Sequence, residues 1–169
     1  MIYKKDVLIR KSVIFYKINL LINLFIKVNL MGEIKVQLEL ENHSDKILYK
    51  HQQISKSEIR TYSLTGIVDT GAVMLMLPQD VVEKLGLEYL RRVIVTYADD
   101  RRDTRDIAGS IIVKIGDRTM ISECIVGPPN SEPLIGQIIM EGMDLIADPQ
   151  RQTLLPRPES PIYPSMKMK

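Results

Sequence analysis

Between Glu33 and Glu41 the chain reads EIKVQLELE, in which Ile34, Val36, Leu38 and Leu40 alternate with charged or polar residues. Side chains of an extended strand point alternately to its two faces, so a period of two describes a strand with one face buried and one wet. Short segments of this kind recur as far as Pro156, and that succession constrains the fold most. RTYSLTGIVDTG reads as a strand running into a turn, and RTMISECIVG as a strand closed by Gly127-Pro128-Pro129. RRVIVTYA and RDIAGSIIVKIG read as two strands of a hairpin joined by the polar stretch Asp99-Asp100-Arg101-Arg102. DLIAD, the turn Pro149-Gln150 and a last strand around Leu154-Leu155 complete the series, and Asn42 to Asp45 supply turn residues. Only two segments read as helices. PQDVVEKLGL has Pro78 at its start, Val81, Val82 and Leu85 on one face and Gly86 at its end, and Gln137 to Met143 is a shorter candidate. The pattern predicts an all-β domain, a small barrel or sandwich, over residues 31–156.

Composition narrows the function. A chain of 169 residues, 45% hydrophobic and 26% charged, suits one soluble domain with a core of its own. The formal charge of +2 is unevenly spread: residues 1–30 hold six Lys or Arg against Asp6 alone, which leaves the remainder mildly acidic. That remainder offers no basic footprint for nucleic acid. The single cysteine, Cys124, excludes an internal disulfide and fits a reducing, cytoplasmic setting. With only His43 and His51 beside it, no metal site is expected.

Residues 1–30 form a separate N-terminal extension dominated by Ile, Lys, Asn, Phe and Tyr. The apolar stretch Ile18 to Ile26, between Lys17 and Lys27, is about half the ~20 residues a spanning helix needs. Lys17 also interrupts what would be the apolar region of a signal peptide. Three readings stand: translation starting at Met31, an amphipathic anchor on a membrane surface, or an ordinary N-terminal helix. At the other end, residues 157–169 are rich in proline and polar residues and are expected to be a disordered tail.

IVDTGAVMLMLP, residues 67–78, sets Asp69, Thr70 and Gly71 between two apolar runs. Asp-Thr-Gly alone fits a strand ending in a turn, with Asp69 and Gly71 as turn residues. Yet both flanks call for burial, a poor setting for a turn residue chosen for solubility. An apolar-apolar-glycine triplet, Leu134-Ile135-Gly136, follows later, directly before a helix candidate, and the polar-tipped hairpin lies between the two.

In that order these elements resemble the retropepsin-like aspartic proteases, the family of the retroviral proteases, and in particular their small bacterial and archaeal relatives. The resemblance covers about residues 33–156. It implies a small closed β-barrel of the retropepsin type with one or two short helices. It also implies that Asp69 is the catalytic aspartate of an aspartic-type endopeptidase, supported by Thr70, Gly71 and Ala72, with Leu134-Ile135-Gly136 crossing behind that loop. The hairpin corresponds to the flap, with Tyr97, Ala98, Asp99, Asp100 and Arg101 around its tip. Such enzymes use no cofactor: two carboxylates sharing one proton act as base and acid. This chain has one Asp-Thr-Gly, so a homodimer is expected, with Asp69 facing its symmetry mate on a two-fold axis. The substrate would be an extended peptide or protein segment bound by strand addition. The competing expectation is a dimeric β-domain that binds such peptides without cleaving them.

The viral flap is rich in glycine, whereas this tip is charged and has none, so Asp100 is expected to take a positive φ. Cys124, Met74 and Met76 are expected to be packing residues. Asp99, Asp100, Asp144 and Asp148, the conceivable partners for Asp69 within one chain, sit in contexts that favour solvated or capping roles.

Overall fold

Strand β1 (Lys35–Asn42) places Leu38 and Leu40 in the core, while Lys35, Gln37 and Glu39 face solvent. Each such leucine stabilises the fold by roughly 1.5–3 kcal/mol relative to an exposed one. The computed structural model describes residues 33–97 and 99–166. The readings of residues 1–30 and of Ala98 lie outside the described residues.

After β1 come α1 (His43–Lys50), β2 (Thr61–Val68), β3 (Leu75–Pro78), α2 (Gln79–Leu85), β4 (Glu88–Thr96) and β5 (Arg102–Ile115). They are followed by β6 (Arg118–Gly127), β7 (Leu134–Ile135), α3 (Gln137–Gly142), β8 (Leu145–Asp148) and β9 (Thr153–Pro156). The molecule is mostly β, and its large mixed sheet follows a near-closed ring. Strand β1 pairs antiparallel with β2, as in Leu38 opposite Leu64, and also with β5, as in Leu40 opposite Val113. From β2 the ring passes in parallel to β7, then antiparallel to β3, then in parallel to β6, which returns antiparallel to β5. A register shift between Ala108 and Ile111 lets the long β5 change partners. Its first half pairs with β4 to form the expected hairpin, and its second half closes toward β1. Strands β8 and β9 form a separate two-stranded ribbon.

Helix α2 follows the sequence reading: Pro78 precedes it, Val81, Val82 and Leu85 are buried, and Gly86 ends it at φ 57°, a conformation that favours glycine. Three expectations are corrected. Among the described residues there are three α-helices rather than one or two, because Asn42 to Asp45 are not a turn but the start of α1. The Asn42 side chain accepts a hydrogen bond from the Asp45 N–H, a helix N-cap, and its Nδ2 donates to the carbonyls of Leu85 and Gly86 at 2.9 and 3.1 Å. The β4 strand ends at Thr96 and β5 begins at Arg102, so residues 97–101 join them and Arg102 belongs to a strand instead of the polar stretch. Third, the tail is held at least as far as Ser165 instead of being free. The buried Asp144 accepts hydrogen bonds from Ser160 Oγ and from the Ser165 N–H and pairs with Arg157, and Arg118 donates to the Ser160 carbonyl.

Asp45 ties α1 to the start of β2. Its carboxylate accepts from the backbone N–H, Nε and Nη2 of Arg60 at 3.0, 2.7 and 2.7 Å. The Arg60 side-chain bonds hold its pKa below the ordinary value of 3.8, outweighing burial, which raises it. A folded value below the unfolded one gives stability that is present above pH 3.8 and lost as pH falls through the folded value. Asp45→Asn should lower the unfolding free energy by about 2 kcal/mol at neutral pH. Urea titrations should show the gap from wild type closing below pH 3.8; a gap independent of pH would contradict the account.

Candidate active site

Asp69 stands where β2 leaves the sheet. The Val68 N–H donates to the Ile34 carbonyl at 2.8 Å and the Asp69 N–H to the Ile135 carbonyl at 3.0 Å, so the backbone is fixed up to the acid itself. A further bond from the Ala72 N–H to the Asp69 carbonyl, 3.2 Å, closes the turn. The Asp69 side chain is half-buried, while Thr70 and Gly71 are exposed. The Gly71 N–H donates to Asp69 Oδ1 at 2.9 Å. This bond sets the direction of the carboxylate, and it would form in any turn in which an aspartate side chain accepts from the amide two residues on. Among the described residues neither Asp69 Oδ2 nor the Thr70 hydroxyl has a hydrogen-bond partner.

What distinguishes this turn lies against its back. Strand β7 is inserted between β2 and β3, with Leu134 opposite both Ile67 and Met76. Ile135 is fully buried, and Gly136 passes so close to the loop that a Cβ there would lie 2.5 Å from the Met74 carbonyl oxygen and 2.8 Å from that of Ala72. The N–H groups of Gln137 and Ile138 then donate to the carbonyls of Ala72 and Val73 at 2.9 and 3.0 Å. The structure thus brings Asp69, Thr70, Gly71 and Ala72 together with Leu134, Ile135 and Gly136. It adds two residues that the sequence reading missed. Gly66 leaves room in β2, where a Cβ would lie 2.9 Å from Leu38 Cδ1 and 3.2 Å from Ile135. Gln137 donates from Nε2 to the Thr70 carbonyl at 2.9 Å. A glycine inside an apolar strand was a visible signal for the first, whereas a glutamine opening a short helix gives none for the second. Beside the loop, Val73 is 61% and Ile138 43% exposed, an apolar rim next to the acid.

The hairpin is built from β4 and the first half of β5. No residue of β4 is fully buried: Val93 and Val95 are half-buried on one face, while Ile94 on the other is 72% exposed. The hairpin tip is organised by charge. Asp99 accepts from the Arg101 N–H and Nε at 3.2 and 2.6 Å, the Arg101 guanidinium lies 5.2 Å from the centre of the Tyr97 ring, and Arg105 Nε donates to the Tyr97 hydroxyl at 3.2 Å. Asp100 takes φ 61°, as expected of a tip without glycine. Among the described residues no hydrogen bond or ion pair joins this tip to the Asp69 loop.

Among the described residues no second carboxylate bonds with Asp69. Asp99 is engaged at the tip, Asp144 holds the tail, and Asp148 accepts from the Gln150 and Arg151 N–H groups. Cys124 is fully buried in β6, and burial pushes its thiol up to about 12, which suits a packing residue. Among the described residues no helix is long and apolar enough to cross a membrane, and no three His, Cys, Asp or Glu side chains gather into a metal-binding group.

The close passage of Gly136 can be tested by adding one methyl group. Gly136→Ala should destabilise the fold by about 3 kcal/mol, because the atoms in the way are backbone oxygens. At Gly71 an added Cβ meets only Asp69 Oδ1, at 3.2 Å, so Gly71→Ala should cost less than about 1 kcal/mol. Equal losses in chemical unfolding would contradict the packing described. Compared with known proteins, the chain matches no family model and no curated protein.

Proposed function

We propose that the chain is an aspartic endopeptidase acting as a homodimer, and that its ring of strands is a small closed barrel of the retropepsin type. The observation that carries this reading is the insertion of Leu134-Ile135-Gly136 behind Asp69-Thr70-Gly71. A solvent-facing turn has no need of such a brace, whereas a carboxylate that must meet another at about 3 Å does. The unpartnered Thr70 hydroxyl and the apolar rim of Val73 and Ile138 favour a second copy docking here. Strand β4, which buries no residue fully, suits a hairpin that closes over a bound peptide.

In the dimer one Asp69 is ionised and its mate holds the shared proton. The ionised carboxylate takes a proton from a water as that water attacks the peptide carbonyl carbon, and the protonated one donates to the carbonyl oxygen. The tetrahedral intermediate then breaks at the C–N bond: the carboxyl that took the water's proton gives it to the leaving nitrogen, and the other carboxylate takes a proton from a hydroxyl of the intermediate, which restores the dyad with one proton. Thr70 hydrogen-bonds across the axis, Gly71 keeps its N–H on the carboxylate, and Ala72 flanks the peptide. The substrate is an extended peptide or protein segment that adds as a strand beneath the hairpin. We read the setting as cytoplasmic, since the one cysteine is buried and no disulfide is possible within the chain.

The purified protein should cleave a denatured protein mixture at mildly acidic pH. Asp69→Asn should lower that rate by on the order of 100- to 10,000-fold. Equal cleavage by both would remove Asp69 from the chemistry. No cleavage by wild type, with extended peptides still bound, would favour the binding module.

A further inference from the structure

The peptide unit between Thr70 and Gly71 is gripped at both ends. Its N–H, on Gly71, donates to Asp69 Oδ1 at 2.9 Å, and its oxygen, on Thr70, accepts from Gln137 Nε2 at 2.9 Å. An amide tied at one end can rotate as a plane and turn its N–H away from an acceptor. Tied at both ends it cannot, and the bond at its oxygen polarises the unit and strengthens the N–H as a donor. Gln137 is itself anchored, since its backbone N–H donates to the Ala72 carbonyl at 2.9 Å. That backbone bond survives any change of the side chain. The side chain spans 67 residues of sequence to reach the loop and is exposed there, so removing it opens no cavity in the core.

We infer that Gln137 is a positioning residue for Asp69: its side-chain amide fixes the Thr70–Gly71 peptide so that the Gly71 N–H stays on the carboxylate. The kinetic consequence rests on the aspartic-protease reading, whereas the geometric one does not. Gln137 reaches the acid only through the Gly71 amide, so its loss weakens turnover more than substrate binding. The role requires a donor, which arginine supplies at similar reach and methionine does not.

The test compares wild type, Gln137→Met and Gln137→Arg in the full chain, by kcat and KM on a cleaved peptide and by amide hydrogen exchange at Gly71. Gln137→Met should lower kcat by about 3- to 10-fold, the worth of one such hydrogen bond, with KM moving less than about twofold. The Gly71 amide should exchange faster in that variant, and Gln137→Arg should restore both readouts. Unchanged kcat and unchanged exchange in Gln137→Met would overturn the inference, as would a joint loss of kcat and thermal stability that arginine does not restore. If wild type shows no cleavage dependent on Asp69, the protease reading fails by itself. The Gly71 exchange rates then decide the inference: faster in Gln137→Met supports it, and unchanged rates overturn it.

Discussion

The passage of Gly136 against the carbonyls of Ala72 and Met74 is the contact on which the ring of strands depends. Strands β2 and β3 are consecutive in the chain, yet they do not pair with one another; β7 stands between them, parallel to one and antiparallel to the other. Two residues are enough for the insertion because the backbone bonds continue past the strand, from the Asp69 N–H before it to the Gln137 and Ile138 N–H groups after it. Any side chain at position 136 would push α3 off the loop and break those bonds, since a Cβ there has nowhere to go. The brace joins a segment near the start of the domain to one near its end, and it is a tertiary constraint rather than a local turn preference.

Its consequence is an acid that is rigid from behind and open in front. Asp69 has its backbone in the sheet and one oxygen on the Gly71 amide, while Thr70, Val73 and Ile138 present a hydroxyl and apolar surface to solvent. Rigidity on one side and unmet bonding capacity on the other are what the proposed shared site asks of each chain. The hairpin belongs to the same logic. Its buried residues, Ile107 and Ala108, lie at its base, and its tip gains order from local ion pairs and from Arg101 on Tyr97. Exposed pairs of that kind add little stability, which leaves such a ribbon able to move.

Much of this was legible in the sequence, for reasons that can be named. Alternation in EIKVQLELE and the proline and glycine bracketing α2 are local signals with local causes, and they marked β1 and α2 to within two residues. The order Asp-Thr-Gly, hairpin, apolar-apolar-glycine identified which distant segments should meet, and the loop and the brace do meet. Helix α1 was missed because Asn and Asp serve turns and helix caps alike, and because Ile47, Leu48 and Tyr49 are all partly exposed and form no single apolar stripe. The hold on the tail was missed because it hangs on Asp144 at φ 53° and on the buried Arg118, polar contacts that no periodicity announces. Gln137 was invisible for the same reason: its partner is a backbone oxygen, and any residue could have supplied that.

The central claim is that one catalytic site needs Asp69 from two chains. It is tested most directly by refolding wild-type and Asp69→Asn chains together in equal amounts and measuring peptide cleavage against the same total amount of wild type. A shared dyad predicts about one quarter of the activity, because only dimers of two wild-type chains carry both carboxylates. About one half would mean that each chain cleaves alone, and it would contradict the account.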